Sequence, residues 1–328
     1  MMLSDIPSAD FFREDIILKP ASCPTRYNVP DVTVVTVVTV CYNPLKDGRK
    51  DAFIKNLDSV QNQTGVLLEH LIIDGASTDG TIDFLKAYSN TQYDIRIMSK
   101  TDTGIYEAMN RGIALSQGKY VIFLNTDDYY HCPDGIARSV KVLEENDCSF
   151  TFSPINPIGP HTQHSPHRNP QRRLHKFFLF CTLPHPSMLF RRTALVETDG
   201  YDETYRLAAD YDMMLRMVSE GHKACFVNYC FATFLASGFS QQNRELNVME
   251  KTRIVRNFHN KVFGTELTDT EAAYLVSKCK YPRKYLSVYV KSQKLISDTF
   301  MALPQGFFDK LSRRFNYMKY YIKSFLSF

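Results

Sequence analysis

Nine consecutive residues, Val32 to Val40, read VTVVTVVTV, with no charge and a β-branched side chain at every place. Such side chains are stiff at χ1 and pack well on a pleated surface. A run of this kind reads as a strand buried on both faces, which is what parallel sheets demand. The chain must then supply a cover for each face. Asp51 to Gln61 offers one helix, with Phe53, Ile54, Leu57 and Val60 at helical spacing. Leu67 to Ile73 is a second strand, Ser77 to Gly80 a turn, and Thr81 to Tyr88 a second helix. Asp94 to Met98 is a third strand, Tyr106 to Ser116 a helix ended by Gly118, and Lys119 to Asn125 a fourth strand. This alternation predicts repeated βαβ units in an α/β fold, a mainly parallel sheet flanked by helices. At 328 residues the chain suffices for one large domain or two modest ones.

The flanks differ from this centre. Pro7, Pro20, Pro24 and Pro30 punctuate residues 1–30, which read as an irregular extension. Beyond residue 130 the alternation loosens, and Ser153 to Pro170, rich in Pro and His, reads as a long loop. Leu207 to Glu220 is a helix, and after about 245 the chain looks helical with aromatic and basic residues interleaved. The predicted division is 1–30, 31–245 and 246–328. From Lys251 onward 15 Lys and Arg face 5 Asp and Glu, a local charge of +10 that leaves −6 on residues 1–250. The total of +4 is too small to argue for nucleic acid. Phe308, Leu311, Phe315, Met318, Ile322 and Phe325 follow helical spacing, with Lys310, Arg313, Lys319 and Lys323 on other faces. That is an amphipathic basic helix suited to a membrane interface, with docking on protein as the alternative. No uncharged apolar run is long enough to span a bilayer as a helix. The acidic N-terminus, with Asp5, Asp10, Glu14 and Asp15, lacks a secretory pattern. Eight cysteines without a CxxC pair read as reduced thiols, with disulfides or zinc as the lesser alternative. The expectation is a cytoplasmic protein, peripheral on the inner face of the membrane.

Open parallel sheets bind ligands beyond the carboxyl ends of their strands. There the chain sets Cys41-Tyr42-Asn43, then Asp74, then Asp102, then Thr126-Asp127-Asp128. Two aspartates after a strand can simply cap a turn. Matching aspartates after neighbouring strands point instead to a site for Mg²⁺ or Mn²⁺ carrying a phosphate. No GxGxxG follows the first strand, which argues against a dinucleotide enzyme, and Gly112 to Lys119 fails the P-loop pattern in spacing and in Tyr120.

Five segments, VTVCYN (35–43 region), LIIDGASTDGT (71–81), DTGIYEAMNRGIALSQGKYVIFLNTDD (102–128), HPSMLFRR (185–192) and AADYDMMLR (208–216), together resemble the family 2 glycosyltransferases. Within that family the bacterial O-antigen, capsule and exopolysaccharide enzymes are the most similar. The resemblance covers about residues 32–240. It implies the GT-A fold, a Rossmann-like nucleotide half joined to an acceptor half. It implies inverting transfer from a nucleotide-sugar donor to a hydroxyl of a glycan or polyprenyl-linked glycan acceptor. By resemblance, Val40 and Tyr42 line the base and ribose pocket, Asp74 bonds a uracil, and Asp102 is the second nucleotide-pocket acid. Asp127-Asp128 takes the DxD-like place for Mn²⁺ or Mg²⁺, with Asp128 the preferred direct ligand. Asp210 takes the place of the catalytic base, with Ala209 where the family commonly has Glu, and Asp212 is the second candidate.

Other residues leave two readings each. His161, His164 and His167 read as a loop without metal, with acceptor contact as the alternative. His185 is either a buried, bonded imidazole or a residue lining the sugar or acceptor side. Arg111 either reaches a diphosphate or decorates a solvated helix face. Two further functions compete. A nucleotidyltransferase would need a Gly-rich cationic loop after the first strand, which this reading does not find. A non-catalytic nucleotide-sugar-binding subunit at the membrane would bind without turnover.

Overall fold

The computed structural model describes residues 16–18, 34–46, 48–89, 95–159, 162–163, 165–236 and 243–304. Its elements in chain order are β1 (Ile16–Leu18), β2 (Val34–Cys41), α1 (Lys50–Gln61), β3 (Leu67–Asp74), α2 (Thr81–Ser89), β4 (Ile95–Ser99), α3 (Ile105–Leu115) and β5 (Tyr120–Phe123). Then follow β6 (Tyr129–Tyr130), α4 (Gly135–Glu145), β7 (Phe150–Phe152), β8 (Ile155–Ile158), β9 (Leu189–Arg191), α5 (Arg192–Glu197), α6 (Ala209–Ser219), β10 (Ala224–Phe226) and β11 (Ala232–Leu235). Helices α7 (Arg244–Phe263), α8 (Asp269–Lys278) and α9 (Leu286–Thr299) precede β12 (Phe300–Met301).

The main sheet runs β1-β4-β3-β2-β5-β9-β7-β10-β12. The β4, β3, β2 and β5 neighbours are parallel, and β9 is antiparallel to both β5 and β7. Every residue of β2 is buried, as its β-branched run requires. Alternate residues divide between two faces. Val38, Val40, Leu71 and Ile73 join α3, α6 and α7 in the largest core, while Ile72, Ile95 and Ile97 pack under α1 and α2. Registers match at the exit edge, where Cys41 pairs with Asp74 and Asp74 with Ser99. Strand ends that finish level place their following loops side by side.

Three expectations need correction. Residues 1–30 are not irregular throughout, because Ile16–Leu18 pairs antiparallel with β4. The 153–170 loop contains β8, parallel to β11 in a small sheet of order β6-β11-β8. Pro157 disguises that strand, and Pro is tolerated there because β8 is an edge. Finally, a boundary at 245 cuts α7. Ile254, Phe258, Leu275, Val288 and Phe300 belong to the same core as Val38 and Leu71, and β12 extends the main sheet. The 246–304 stretch therefore shares the core and sheet of the body that precedes it. The basic helix expected over 308–325 lies outside the described residues.

The thiol expectation is also revised. Cys148, just before β7, is joined to Cys225 of the neighbouring β10 as a disulfide, their Cα atoms 6.1 Å apart. The two are 77 residues apart in sequence, so no spacing motif announces the pair. Cys41, Cys132, Cys181, Cys230 and Cys279 are free.

Two imidazoles are sealed in this framework. His70 sits between Thr39 and Gln61, and His259 between the Val255 carbonyl and the Tyr281 hydroxyl. Burial holds them to about 3 and about 4, below the ordinary histidine value. Unfolding then takes up protons that the native state refuses. Their stabilising share is whole above about pH 6.5 and is lost as pH falls toward 4, at about 1.4 kcal/mol per pH unit for each. Urea unfolding at pH 7, 6, 5 and 4.5 should show this slope, and His70→Gln should flatten it.

Candidate active site

Beyond the exit edge lies a cavity of about 880 Å³, lined by residues from several loops, helices and strand ends. Val40 forms part of its floor. Asn125, Thr126 and Asp127 enter from the loop after β5, Arg206, Leu207 and Asp210 from the start of α6, and Asn247 and Lys251 from α7.

The 125–128 loop is held by α1. Asn56 Nδ2 donates to the Asn125 carbonyl at 2.7 Å and to the Asp128 carbonyl at 2.9 Å. This turn presents Asp127 to the cavity and turns Asp128 inward. Asp128 is fully buried, and its Oδ1 accepts from Leu235 N at 3.0 Å. Burial first, then the neighbouring Asp127, pushes its carboxyl well above the usual carboxylate range. Asp127 lines the cavity, and Asp128 is not among its lining residues. Burial raises Asp127 too, with Arg49 pulling it back. Asn125 Oδ1 is buried without a partner beside it. One carboxylate and one amide oxygen at a cavity wall suit a hard divalent cation that keeps positions for phosphate oxygens. Among the described residues no group of three metal-ligating side chains stands together, so such an ion would depend on a ligand's oxygens.

Asp74 does not reach the cavity. Its Oδ1 accepts from Ser77 Oγ at 2.5 Å, and its Oδ2 from Ser77 N at 2.9 Å and Ser99 Oγ at 2.6 Å. It binds the strand exits together through these bonds to Ser77 and Ser99. Tyr42 and Asp102 do converge. A Cβ added at Gly75 would stand 2.7 Å from Asp102 Oδ2 and 3.4 Å from the Tyr42 ring. Tyr42 is 63% exposed, a free aromatic face beside a half-buried carboxylate that burial raises and Arg111 lowers. Arg111 itself is spent on the Lys100 and Thr101 carbonyls and on Glu107. It positions the Asp102 loop and is absent from the cavity wall.

Asp210 lies in the first turn of α6 and lines the cavity, whereas Asp212 pairs with Arg216 at 2.7 Å and does not. Arg216 in turn grips the Thr198 and Gly200 carbonyls, so Asp212 is structural. His185 lines the cavity with its ring stacked on Phe123 at 5.5 Å and its Nε2 bonded to Tyr201 OH at 2.7 Å. Burial lowers it, opposed by Asp210. The ring is thus a bonded imidazole that also borders the cavity. His167 also reaches the cavity, while His161 and His164 lie outside the described residues.

Several residues had no reading from sequence. Gly48 and Arg49 line the cavity, so a cationic loop does follow the first strand. Glu250, buried on α7, accepts from the backbone N–H groups of Arg206, Leu207 and Ala208 at 2.7, 2.9 and 3.0 Å. It fixes the entry to α6 and hence Asp210, from 40 residues away. Glu250→Ala should cost about 1–3 kcal/mol by urea unfolding, since it removes the acceptor of three backbone N–H groups, that of Ala208 buried and the other two part-buried. Glu250→Gln, which retains an acceptor oxygen, should lose less.

The sequence model of glycosyl transferase family 2 matches residues 36–199, half of the chain. A PGL/p-HBAD biosynthesis glycosyltransferase of Mycobacterium bovis (strain BCG / Pasteur 1173P2) is 28% identical over 58% of this chain and 68% of its own length. Hyaluronan synthase of Pasteurella multocida is 29% identical over 61% of this chain but 20% of that protein. Among solved structures, S. aureus TarS 1–349, in complex with UDP-GlcNAc, superposes with a TM-score of 0.57 at 13% identity, over 81% of this chain and 82% of that one. The Pyrobaculum calidifontis mannosyltransferase PcManGT, in complex with GDP-Man and Mn²⁺, gives 0.54 at 15% identity, over 88% and 78%. These likenesses establish the expected GT-A fold. With half its length matched, the chain belongs to glycosyl transferase family 2.

Proposed function

We propose that the protein transfers a sugar, with inversion, from a UDP-linked donor to a hydroxyl of a glycan or lipid-linked glycan. The observation that carries this reading is one cavity shared by Asp127 and Asp210, two carboxylates on separate elements with different neighbours. Inverting transfer in a single displacement needs a base at the acceptor hydroxyl and stabilisation of the departing diphosphate. Asp210 is suited to the first task, taking the hydroxyl proton as the acceptor oxygen attacks the anomeric carbon. Asp127, with Asn125 beside it, would hold a Mn²⁺ or Mg²⁺ ion. When bound, that ion neutralises charge on the leaving phosphates. Arg49, donating to the Asn43 carbonyl at 2.8 Å, stands at the same wall with its charge near Asp127. The exposed Tyr42 ring offers a stacking surface for the base, and Asp102 an acceptor for its imide N–H or a ribose hydroxyl. The ligands of TarS and PcManGT support a nucleotide-sugar donor and, for the latter, a manganese ion.

Ligand that binds the native state alone raises its apparent stability. A melting-temperature panel of nucleotide sugars with and without Mn²⁺ should give a rise for UDP-sugars that depends on the ion. Turnover should release UDP. Release of pyrophosphate would replace this reading with nucleotidyl transfer, and binding with no turnover would favour the non-catalytic subunit.

A further inference from the structure

Behind the turn that carries Asp127, two free thiols stand opposite each other. β6 begins directly after Asp128, and β11 ends at Leu235, whose N–H Asp128 holds. The two strands are antiparallel, with Tyr129 opposite Thr233 and Tyr130 opposite Ala232. The His131 N–H donates to the Phe231 carbonyl at 2.8 Å, so the pairing continues past the strand ends. The next opposed residues in this register are Cys132 and Cys230. Their carbonyls do not bond each other: that of Cys132 accepts from Gln63 Nε2 at 2.8 Å, and that of Cys230 from His131 Nε2 at 3.1 Å. Opposed residues between ladder bonds have Cα atoms about 4.5 Å apart and side chains on one face. That spacing lies within the range of about 4.4–6.8 Å that a disulfide spans.

The two thiols are also oriented and reachable. Cys132 Sγ points at the Cys230 carbonyl, 3.8 Å away, and both residues are free and half-buried. Their loops are latched together. Tyr229 OH donates to Asp134 Oδ1 at 2.8 Å, Arg138 Nε donates to Asp134 Oδ2 at 2.7 Å, and the guanidinium lies 4.3 Å over the Tyr229 ring. Burial first, then the neighbouring Cys132, raises the Cys230 thiol, so the two sulfurs share one neighbourhood. Cys41 and Cys181 differ, being buried, and burial pushes Cys181 up to about 12. With the backbone fixed on both sides, rotation of the two side chains is enough to bring the sulfurs together.

We propose that Cys132 and Cys230 are a redox-active dithiol, closed to a cross-strand disulfide by a hydroperoxide and reopened by a small thiol. Neither residue lines the cavity, so the pair is independent of sugar transfer. The Cys132 sulfur attacks the hydroperoxide and the O–O bond breaks. Sulfur keeps one hydroxyl as a sulfenic acid, and the other oxygen leaves, takes the thiol proton and becomes an alcohol, or water when the oxidant is hydrogen peroxide. The Cys230 sulfur then attacks the sulfenic sulfur, and its proton leaves with the hydroxyl as water. Two thiols thus lose two electrons and two protons, and the hydroperoxide gains both. Cys132 reacts first because burial keeps Cys230 protonated. A small thiol reverses the bond by exchange and is itself oxidised. The closed bond ties β6 to β11, the same strands that Asp128 links through Leu235 N.

The test treats the full chain, first reduced with dithiothreitol and freed of it, with a slight excess of hydrogen peroxide. The protein is then alkylated and cut with chymotrypsin, which separates Cys225 from Cys230 at Phe226 and Tyr229. Mass spectrometry of the monomer should find the Cys132 and Cys230 peptides joined, and dithiothreitol should release them. In the joined form, amide hydrogen exchange at Leu235 should slow at least about threefold, because the two strands no longer part. Cys132→Ser should leave Cys230 alkylated and the exchange at Leu235 indifferent to peroxide. Recovery of both cysteines as alkylated thiols, or as separate sulfinic acids, would overturn the dithiol. So would a bond from either one to another cysteine or to a second chain. Joined peptides with unchanged exchange at Leu235 would overturn the coupling to the Asp128 turn.

Discussion

Asp210→Asn should lower turnover by about 10³-fold while leaving the dissociation constant for UDP and Mn²⁺ within about twofold, a base on the acceptor hydroxyl being worth roughly 10²–10⁴. The reason is positional. Asp210 begins α6, and its Oδ1 accepts from Tyr211 N at 2.8 Å, which leaves the other oxygen for a substrate. Its surroundings are aromatic and buried: Tyr106, His185 and Tyr201 all respond to its charge. Asparagine has the same shape and accepts the same backbone bond, but it cannot take a proton. Donor binding, at Asp127, Asp102 and Tyr42 in this reading, is remote from the change. Asp212→Asn provides the contrast. It breaks the pair with Arg216 and should reduce stability, with turnover per folded molecule falling far less. Single-turnover rates and calorimetry on both variants separate these effects. An Asp210→Asn enzyme within tenfold of native would move the base to another residue.

The strands and helices of the nucleotide half were legible because their signals are local. The β2 run, the α1 spacing and the Ser77–Gly80 turn each carry their own physics, and observed boundaries differ from expectation by a residue or two. The misses were non-local. Nothing in INPI says strand until β11 lies beside it, and Ile16–Leu18 is a strand only because β4 offers a free edge. The same distinction divides the site. That four loops meet at one edge follows from parallel strands ending level. Which aspartate faces the cavity does not follow, since it depends on partners far away in sequence: Ser99 for Asp74, Leu235 for Asp128. Lys251 and Glu250 carried no signal at all, because a lysine and a glutamate on a basic, mostly polar helix look like its solvated face. Only the docking of α7 against the α6 entry gives them a role.

Asp127→Asn and Asp128→Asn, adjacent and chemically identical changes, should fail in different ways. Asp127 lines the cavity, half-exposed to whatever binds there, with Asn125 Oδ1 unpartnered nearby. Removing its charge should abolish the manganese-dependent part of UDP binding, a loss of at least about tenfold in affinity, with the melting temperature of the free protein little changed. Asp128 has no access to the cavity. Its Oδ1 serves Leu235 N and its Oδ2 is buried without a partner, so its carboxyl is held toward the neutral form. Asparagine can keep the bond from Leu235 N but must bury two further N–H donors beside Tyr130. An unmatched buried donor costs about 1–3 kcal/mol, so Asp128→Asn should lower the melting temperature and leave the manganese dependence intact. Titrating Mn²⁺ against each variant at saturating UDP, alongside thermal unfolding without ligand, reads the two effects separately. If Asp128→Asn were the variant that lost the metal response, the 125–128 turn would have to reverse on ligand binding, and the direct ligand would be the second aspartate after all.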